Sequence, residues 1–218
     1  MAFAQVQTSA AADGSGNSIA VTTSATTEGN LIVVHIKIYD KNETCTGVTD
    51  DQSNTYVLQT AVDSTTERSY QAYAMQVTGG VTTITVAFSG TSSNKRCGAD
   101  EYSGMGTGAT NADVFDASTT GSGAGSPTAV STLTPSAAGN LIVATLNIDN
   151  AVTWTAGANY TLYFSSASMR SQYRLSSDTS ETAPATHNGG GSLYWAERAT
   201  AFKAKVVVPV SSGFFALL

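Results

Sequence analysis

Gly29-Asn30-Leu31-Ile32-Val33-Val34-His35-Ile36-Lys37-Ile38 reads as a turn that runs straight into a β-strand. Gly-Asn is turn chemistry, and the β-branched residues that follow suit a pleated surface. With a period of two, Ile32, Val34, Ile36 and Ile38 share one face. The opening five residues recur 110 positions later as Gly139-Asn140-Leu141-Ile142-Val143, and the apolar face recurs with them as Ile142, Ala144, Leu146 and Ile148. On the other face His35, Lys37 and Tyr39 correspond to Thr145, Asn147 and Asp149. That divergence predicts a core on one side of each strand and none on the other.

Weaker echoes extend the match. Asn54-Thr55-Tyr56-Val57-Leu58 has a loose counterpart in Asn159-Tyr160-Thr161-Leu162, and Arg68-Ser69-Tyr70-Gln71 in Arg170-Ser171-Gln172-Tyr173. The chain therefore reads as a pseudo-repeat of about 110 residues, with halves at 18–118 and 128–203. Between them Gly121-Ser122-Gly123-Ala124-Gly125-Ser126-Pro127 suits a domain linker or a surface loop; the loop is preferred, because halves this small bury more by merging. Residues 1–205 are then a single domain.

Composition points the same way. Only 12% of the 218 residues are charged, against about a quarter in an average chain, and the shortfall falls on residues that cover helix surfaces. Thr, Ser, Val and 20 Gly fill the space. Alternating stretches fall at 2–9, 18–25, 31–39, 55–62, 69–77, 82–89, 96–102, 113–118, 128–134, 141–149, 160–166, 170–176 and 193–203, with a last run at 205–210. Short strands at this spacing predict an all-β, antiparallel two-sheet β-sandwich of the jelly-roll kind.

The net charge of −6 and the lack of any basic cluster beyond Lys95-Arg96 disfavour nucleic-acid binding. No apolar run has the length of a membrane-spanning helix, and the start Met1-Ala2-Phe3-Ala4 has no signal-peptide character, so synthesis in a cytoplasm is expected. The final residues, 206–218, are apolar and contain Pro209, which suits an edge strand or an extended docking arm. Val208, Val210, Phe214, Phe215, Leu217 and Leu218 either close the subunit's own core or form a subunit interface.

Candidate chemistry is sparse. The two histidines, His35 and His187, are far apart in sequence and are expected to hold no metal; Cys45 and Cys97 have no zinc-type spacing. The two cysteines form a candidate disulfide closing a loop of 53 residues, worth about 4 kcal/mol, with two inert thiols as the alternative. Asp50 and Asp51, and Asp113 with Asp116, lack the ligand spacing of a calcium loop and read as turns. Asp100 and Glu101 are adjacent in a strand and point to opposite faces, which spoils them as a glycosidase pair. No Gly-x-Ser-x-Gly elbow occurs, and Gly104-Met105-Gly106-Thr107-Gly108 is followed by no helix that would make it a dinucleotide loop. No catalytic residue, metal site or cofactor is therefore expected. Among Tyr39, Trp154, Tyr160 and Tyr163, Trp154 with Tyr160 forms the candidate glycan platform, with Trp154 as a lid on the core being the plainer reading.

Gly29-Asn30-Leu31-Ile32-Val33-Val34, Val48-Thr49-Asp50-Asp51-Gln52-Ser53-Asn54-Thr55-Tyr56, Val81 to Ser89, Glu101-Tyr102-Ser103-Gly104 and Ala201-Phe202-Lys203 occur in an order that resembles jelly-roll structural proteins of tailed bacteriophages. The resemblance spans about residues 20 to 203, and it transfers no catalytic or metal residue. It implies a virion role: a capsid decoration (cement) protein or a fibre component, located on the capsid surface and partnered with the major capsid protein or another virion protein. A homo-oligomer, trimer or dimer, is expected, with no nucleic acid and no membrane partner. A carbohydrate-binding jelly-roll module or adhesin is the alternative.

Overall fold

The computed structural model describes residues 3–91, 93–106, 110–126, 128, 132–166, 168–176, 179–189 and 193–205. The strands are β1 (Ala4–Thr8), β2 (Ala12–Gly14), β3 (Ser18–Thr22), β4 (Leu31–Ile38), β5 (Cys45–Asp50), β6 (Val57–Leu58), β7 (Val62–Asp63), β8 (Arg68–Ala74), β9 (Thr83–Phe88) and β10 (Lys95–Ser103). A single helical turn, α1 (Asn111–Val114), leads to β11 (Phe115–Ala124), β12 (Leu141–Ile148), β13 (Trp154–Ala156), β14 (Thr161–Ser165), β15 (Met169–Leu175), β16 (Ala185–His187) and β17 (Tyr194–Phe202).

The protein is all-β, and the strand pairings are antiparallel. The strands make four sheets where two were expected. One large sheet has the order β1-β10-β4-β8-β6, with β2 and β7 at its margins, and a small sheet has the order β3-β9-β5. The later part of the chain forms β11-β17-β12-β15-β14 and the pair β13-β16. Each large sheet packs one face on its own small sheet. Ile32, Val34, Ile36 and Ile38 meet Ile19, Val21, Ile84 and Val86 in a first core. Ile142, Ala144, Leu146 and Ile148 meet Trp154, Ala183 and Ala185 in a second.

The remaining faces of the two large sheets lie against each other: β8 packs on β12 and β17, β4 on β15, and β10 on β14. Every residue of β4 and of β12 is consequently buried. The expectation of a core on one side only is overturned. A strand buried on both faces must hide its polar side as well, and here each polar face is hidden by the other's.

The stretch 121–127 also departs from expectation. Gly121 to Ala124 are the end of β11, paired from Gly121↔Glu197 to Ala124↔Tyr194. Glycine serves there because the Trp195 ring lies on Gly123, where a Cβ would sit 3.0 Å from Cζ2. The passage between the two sandwiches is instead 104–114, and β11 belongs wholly to the second. Of the strand expected at 128–134, the described residues form bridges at Thr128↔Ala185 and Leu133↔Glu181, and 129–131 lie outside the described residues. The turns before β4 and β12 are alike: Gly29 and Gly139 have φ of 81° and 85°. Each glycine donates its N–H across the turn, to Val77 and Ser176 respectively.

Candidate functional site

The face between the two large sheets collects the polar chemistry of the chain. Its floor is apolar: Leu31, Val33, Tyr73 and Tyr102 from the first sandwich meet Leu141, Val143 and Phe202 from the second, with Phe3, Met105 and Val114 at the end. Burying side chains of this size stabilises the contact by about 1.5–3 kcal/mol each. Two strand residues further along, the pattern of alternation brings up polar side chains instead.

His35 occupies the middle. Its Nε2 lies 3.0 Å from Asp100 Oδ2, and its Nδ1 lies 2.5 Å from Thr145 Oγ1. Ser171 donates to the same Asp100 oxygen at 2.5 Å, and Tyr102 does so at 3.2 Å. Gln71 Nε2 donates to Thr145 Oγ1 at 2.9 Å, while Thr200 donates to Gln71 Oε1 at 2.5 Å. Burial pushes the Asp100 carboxyl up, but His35, Ser171 and Thr8 more than offset it and hold it below the usual carboxylate range. The ring of Phe164 stacks on His35 at 6.3 Å, fitting a space left by Gly98.

Further along, Lys37 Nζ reaches Ile148 O and lies 2.6 Å from Glu67 Oε1; Asn147 Nδ2 reaches Ile36 O at 3.2 Å. Burial lowers Lys37 to about 8 against the pull of Glu67, and raises Glu67 to about 7 against the pull of Lys37. At the solvent edge Tyr39 bonds Ser168 at 2.6 Å, and Arg96 bonds Ser166 and Ser168 while pairing with Asp13. Two shallow depressions, about 420 Å³ and about 240 Å³, meet there and share Tyr39 and Arg96.

Thr145, His35 and Asp100 stand in the order hydroxyl, imidazole, carboxylate that nucleophilic catalysis uses. They are 0%, 0% and 1% exposed, and the depressions at the edge are not lined by any of the three. They bond one another and Gln71, Ser171 and Tyr102, and none of the three opens to solvent. The arrangement fixes how the two sheets dock: a shift by one register would strand buried donors and acceptors at about 1–3 kcal/mol each.

The other residues singled out in the sequence are placed as follows. Cys45 and Cys97 are both free and buried in the first core, and burial raises both thiols, Cys45 to about 11. The disulfide expectation therefore gives way to two inert thiols. Asp50 accepts from Gln52 N, from Asn54 and from Tyr56 OH, which is a turn function. Asp51 binds Thr82, Asp113 binds Thr110, and Asp116 binds Ser136 N and Asn140. Glu101 points away from Asp100 and accepts from Asn30, Thr27 N and Gln7. Among the described residues no group of three His, Cys, Asp or Glu is placed to hold a metal ion.

Trp154 and Tyr160 are each 7% exposed and belong to the second core, so neither offers a ring face to a sugar. Trp154 meets the edge of His187 at 5.5 Å, and the Arg170 guanidinium lies 5.1 Å from its ring centre. His187 accepts from Gly189 N and contacts Gly125 O, which fixes a turn. The terminal residues Val208, Val210, Phe214, Phe215, Leu217 and Leu218 lie outside the described residues. No helix among the described residues is long and apolar enough to cross a membrane.

Sequence reading missed the polar face because its members come from six strands and both halves of the chain. The signal that could have found it is the pairing of His35 and Lys37 with Thr145 and Asn147 at matched positions of two strands whose other faces are equally apolar. In comparisons with known proteins, no family model, curated protein or solved structure matches the chain.

Proposed function

We propose that the protein is a non-enzymatic structural component of a virion, a capsid decoration protein that binds a shell and reinforces it, assembling as a homo-oligomer. We further read each half as one jelly roll and the pair as a pseudo-repeat. Supporting this, the large sheets have matching strand orders, β1-β10-β4-β8 and β11-β17-β12-β15, and each lies beside a smaller antiparallel sheet, β3-β9-β5 and β13-β16. Jelly rolls serve in viral capsids and in lectins, so fold alone does not choose between them.

The observation that carries the structural reading is where the polar chemistry has gone. His35, Asp100, Thr145, Ser171 and Gln71 are all buried between the sheets and bonded to one another. They lock two sandwiches into one block, as suits a part that bears load. The candidate sugar platform of the rival reading is likewise in a core. The described residues end at exposed Lys205, and the sequence continues with thirteen further residues, mostly apolar, whose composition suits a docking arm.

The test compares the full chain with a variant ending at Lys205, by light scattering and thermal unfolding. Oligomers that vanish with the tail, at unchanged melting temperature, are the expected result. Monomers in both forms, combined with specific binding on a glycan array, would overturn the proposal in favour of a sugar-binding module.

A further inference from the structure

Several of the contacts across the face between the sandwiches come in reciprocal pairs. β8 and β15, and β10 and β17, hold matching positions 100 residues apart; β4 and β12 hold matching positions 110 apart. In these terms Tyr73 meets Phe202 edge-on at 5.2 Å and 75°, and Tyr173 meets Tyr102 edge-on at 5.5 Å and 64°. Each is the other with its two ends exchanged. Thr200 bonds Gln71 at 2.5 Å, and Asp100 is bonded by Ser171 at 2.5 Å, the same exchange again. Lys37 reaches the backbone at Ile148, and its counterpart Asn147 reaches the backbone at Ile36, two residues short of Ile38, the position that matches Ile148, so this pair is similar in kind and not an exact exchange. Between these pairs His35 touches Thr145, its own counterpart, at 2.5 Å. When residue i touches j′ and i′ touches j, and a residue at the centre touches its own equivalent, the relation is a two-fold axis.

We infer that this face is an isologous, self-complementary interface: each sandwich presents a surface built to dock on another sandwich of its own kind, and the chain is a dimer of sandwiches joined through residues 104–114. The inference rests on reading the two halves as related copies. The apolar pairs supply adhesion at one end, and the exchanged hydrogen bonds set the register. A covalent joint is not what holds such a pair together, so breaking the joint leaves the pair intact. The partner class this surface fits is a second sandwich with an aromatic pair and a hydroxyl-to-carboxylate or hydroxyl-to-amide pair at the matching positions.

The experiment inserts a protease site between Gly108 and Ala109 of the full chain and cuts it. The cut protein is expected to keep the mass of the uncut one in native buffer and to come apart only in denaturant. Four variants of the cut chain then test the reciprocity. Tyr73→Leu and Tyr173→Leu, at matching positions, should each weaken association of the two pieces about tenfold or more. The near-isosteric Thr200→Val and Ser171→Ala should each weaken it by about three- to tenfold without unfolding either piece. Pieces that separate or unfold once cut would overturn the inference, as would a loss confined to one member of each matching pair. Shell binding by the uncut chain and its dependence on 206–218 are unaffected by either result, so the two proposals fail separately.

Discussion

Gly98 is the position at which one added methyl group tests the docking of the two sandwiches. It lies in β10 opposite His35, and a Cβ there would stand 2.5 Å from Phe164 Cε2 and 2.8 Å from Cδ2 and Cζ. Carbon atoms prefer about 3.5–4.0 Å, so the ring must retreat by about 1 Å. Phe164 is 3% exposed and rests on His35, so retreat disturbs the imidazole and its bonds to Asp100 and Thr145. Overpacking of this kind costs about 1–3 kcal/mol, and removing a glycine from the unfolded chain returns about 0.4–1. Gly98→Ala should therefore lose about 1–2 kcal/mol net. That corresponds to a fall in melting temperature of about 2–8 °C for a chain of this size. Urea unfolding of four proteins gives the check: parent, Gly98→Ala, Phe164→Ala and the double variant. Phe164→Ala alone should cost about 3–5 kcal/mol, and Gly98→Ala should cost nothing further in that background. If Gly98→Ala is neutral in the parent, or costs the same with and without the ring, then Phe164 does not seat on Gly98 and the packing argument fails.

Three further outcomes are expected. Asp100→Asn should destabilise the protein at neutral pH by about 1–3 kcal/mol. Because the parent carboxyl is held below its ordinary value, its stabilisation is present above that ordinary value and disappears as pH falls through the lower one, so the variant should show a shallower acid limb in a pH series of melting temperatures. Glu67 has the opposite sign: raised from 4.5 to about 7, it makes stability decline as pH rises through that interval, and Glu67→Gln should flatten the decline. The thiols of Cys45 and Cys97, both raised by burial, should resist a maleimide at pH 8 in the native protein and react in urea; rapid native labelling, or a mass lower by the two hydrogens of a disulfide, would refute their placement.

Strand character was legible because it is local. Alternation in 31–38 and 141–148 follows from backbone sterics and from which residues tolerate water. The short strands β2, β5, β13 and β16 were not legible: β2 and β5 are interrupted by Gly and Asp, β13 and β16 have three residues each, and all four take strand form by pairing with neighbours. Gly121 to Ala124 misled for the same reason: the glycines look like a loop until the Trp195 ring that needs the space is brought over them.

Local pattern was enough for the all-β class, the apolar faces centred on Ile36 and Leu146, the turn use of Asp50, and the scarcity of catalytic motifs. What became of the polar faces depended on how the sheets pack. One strand's pattern reports whether a face is polar; it does not report whether water or another polar face covers it. A buried His35 next to Thr145 and Asp100 is tolerated because the docking of two sheets brings partners from both halves within bonding distance at once. That coincidence is a property of the assembled layers and has no local signature in the chain.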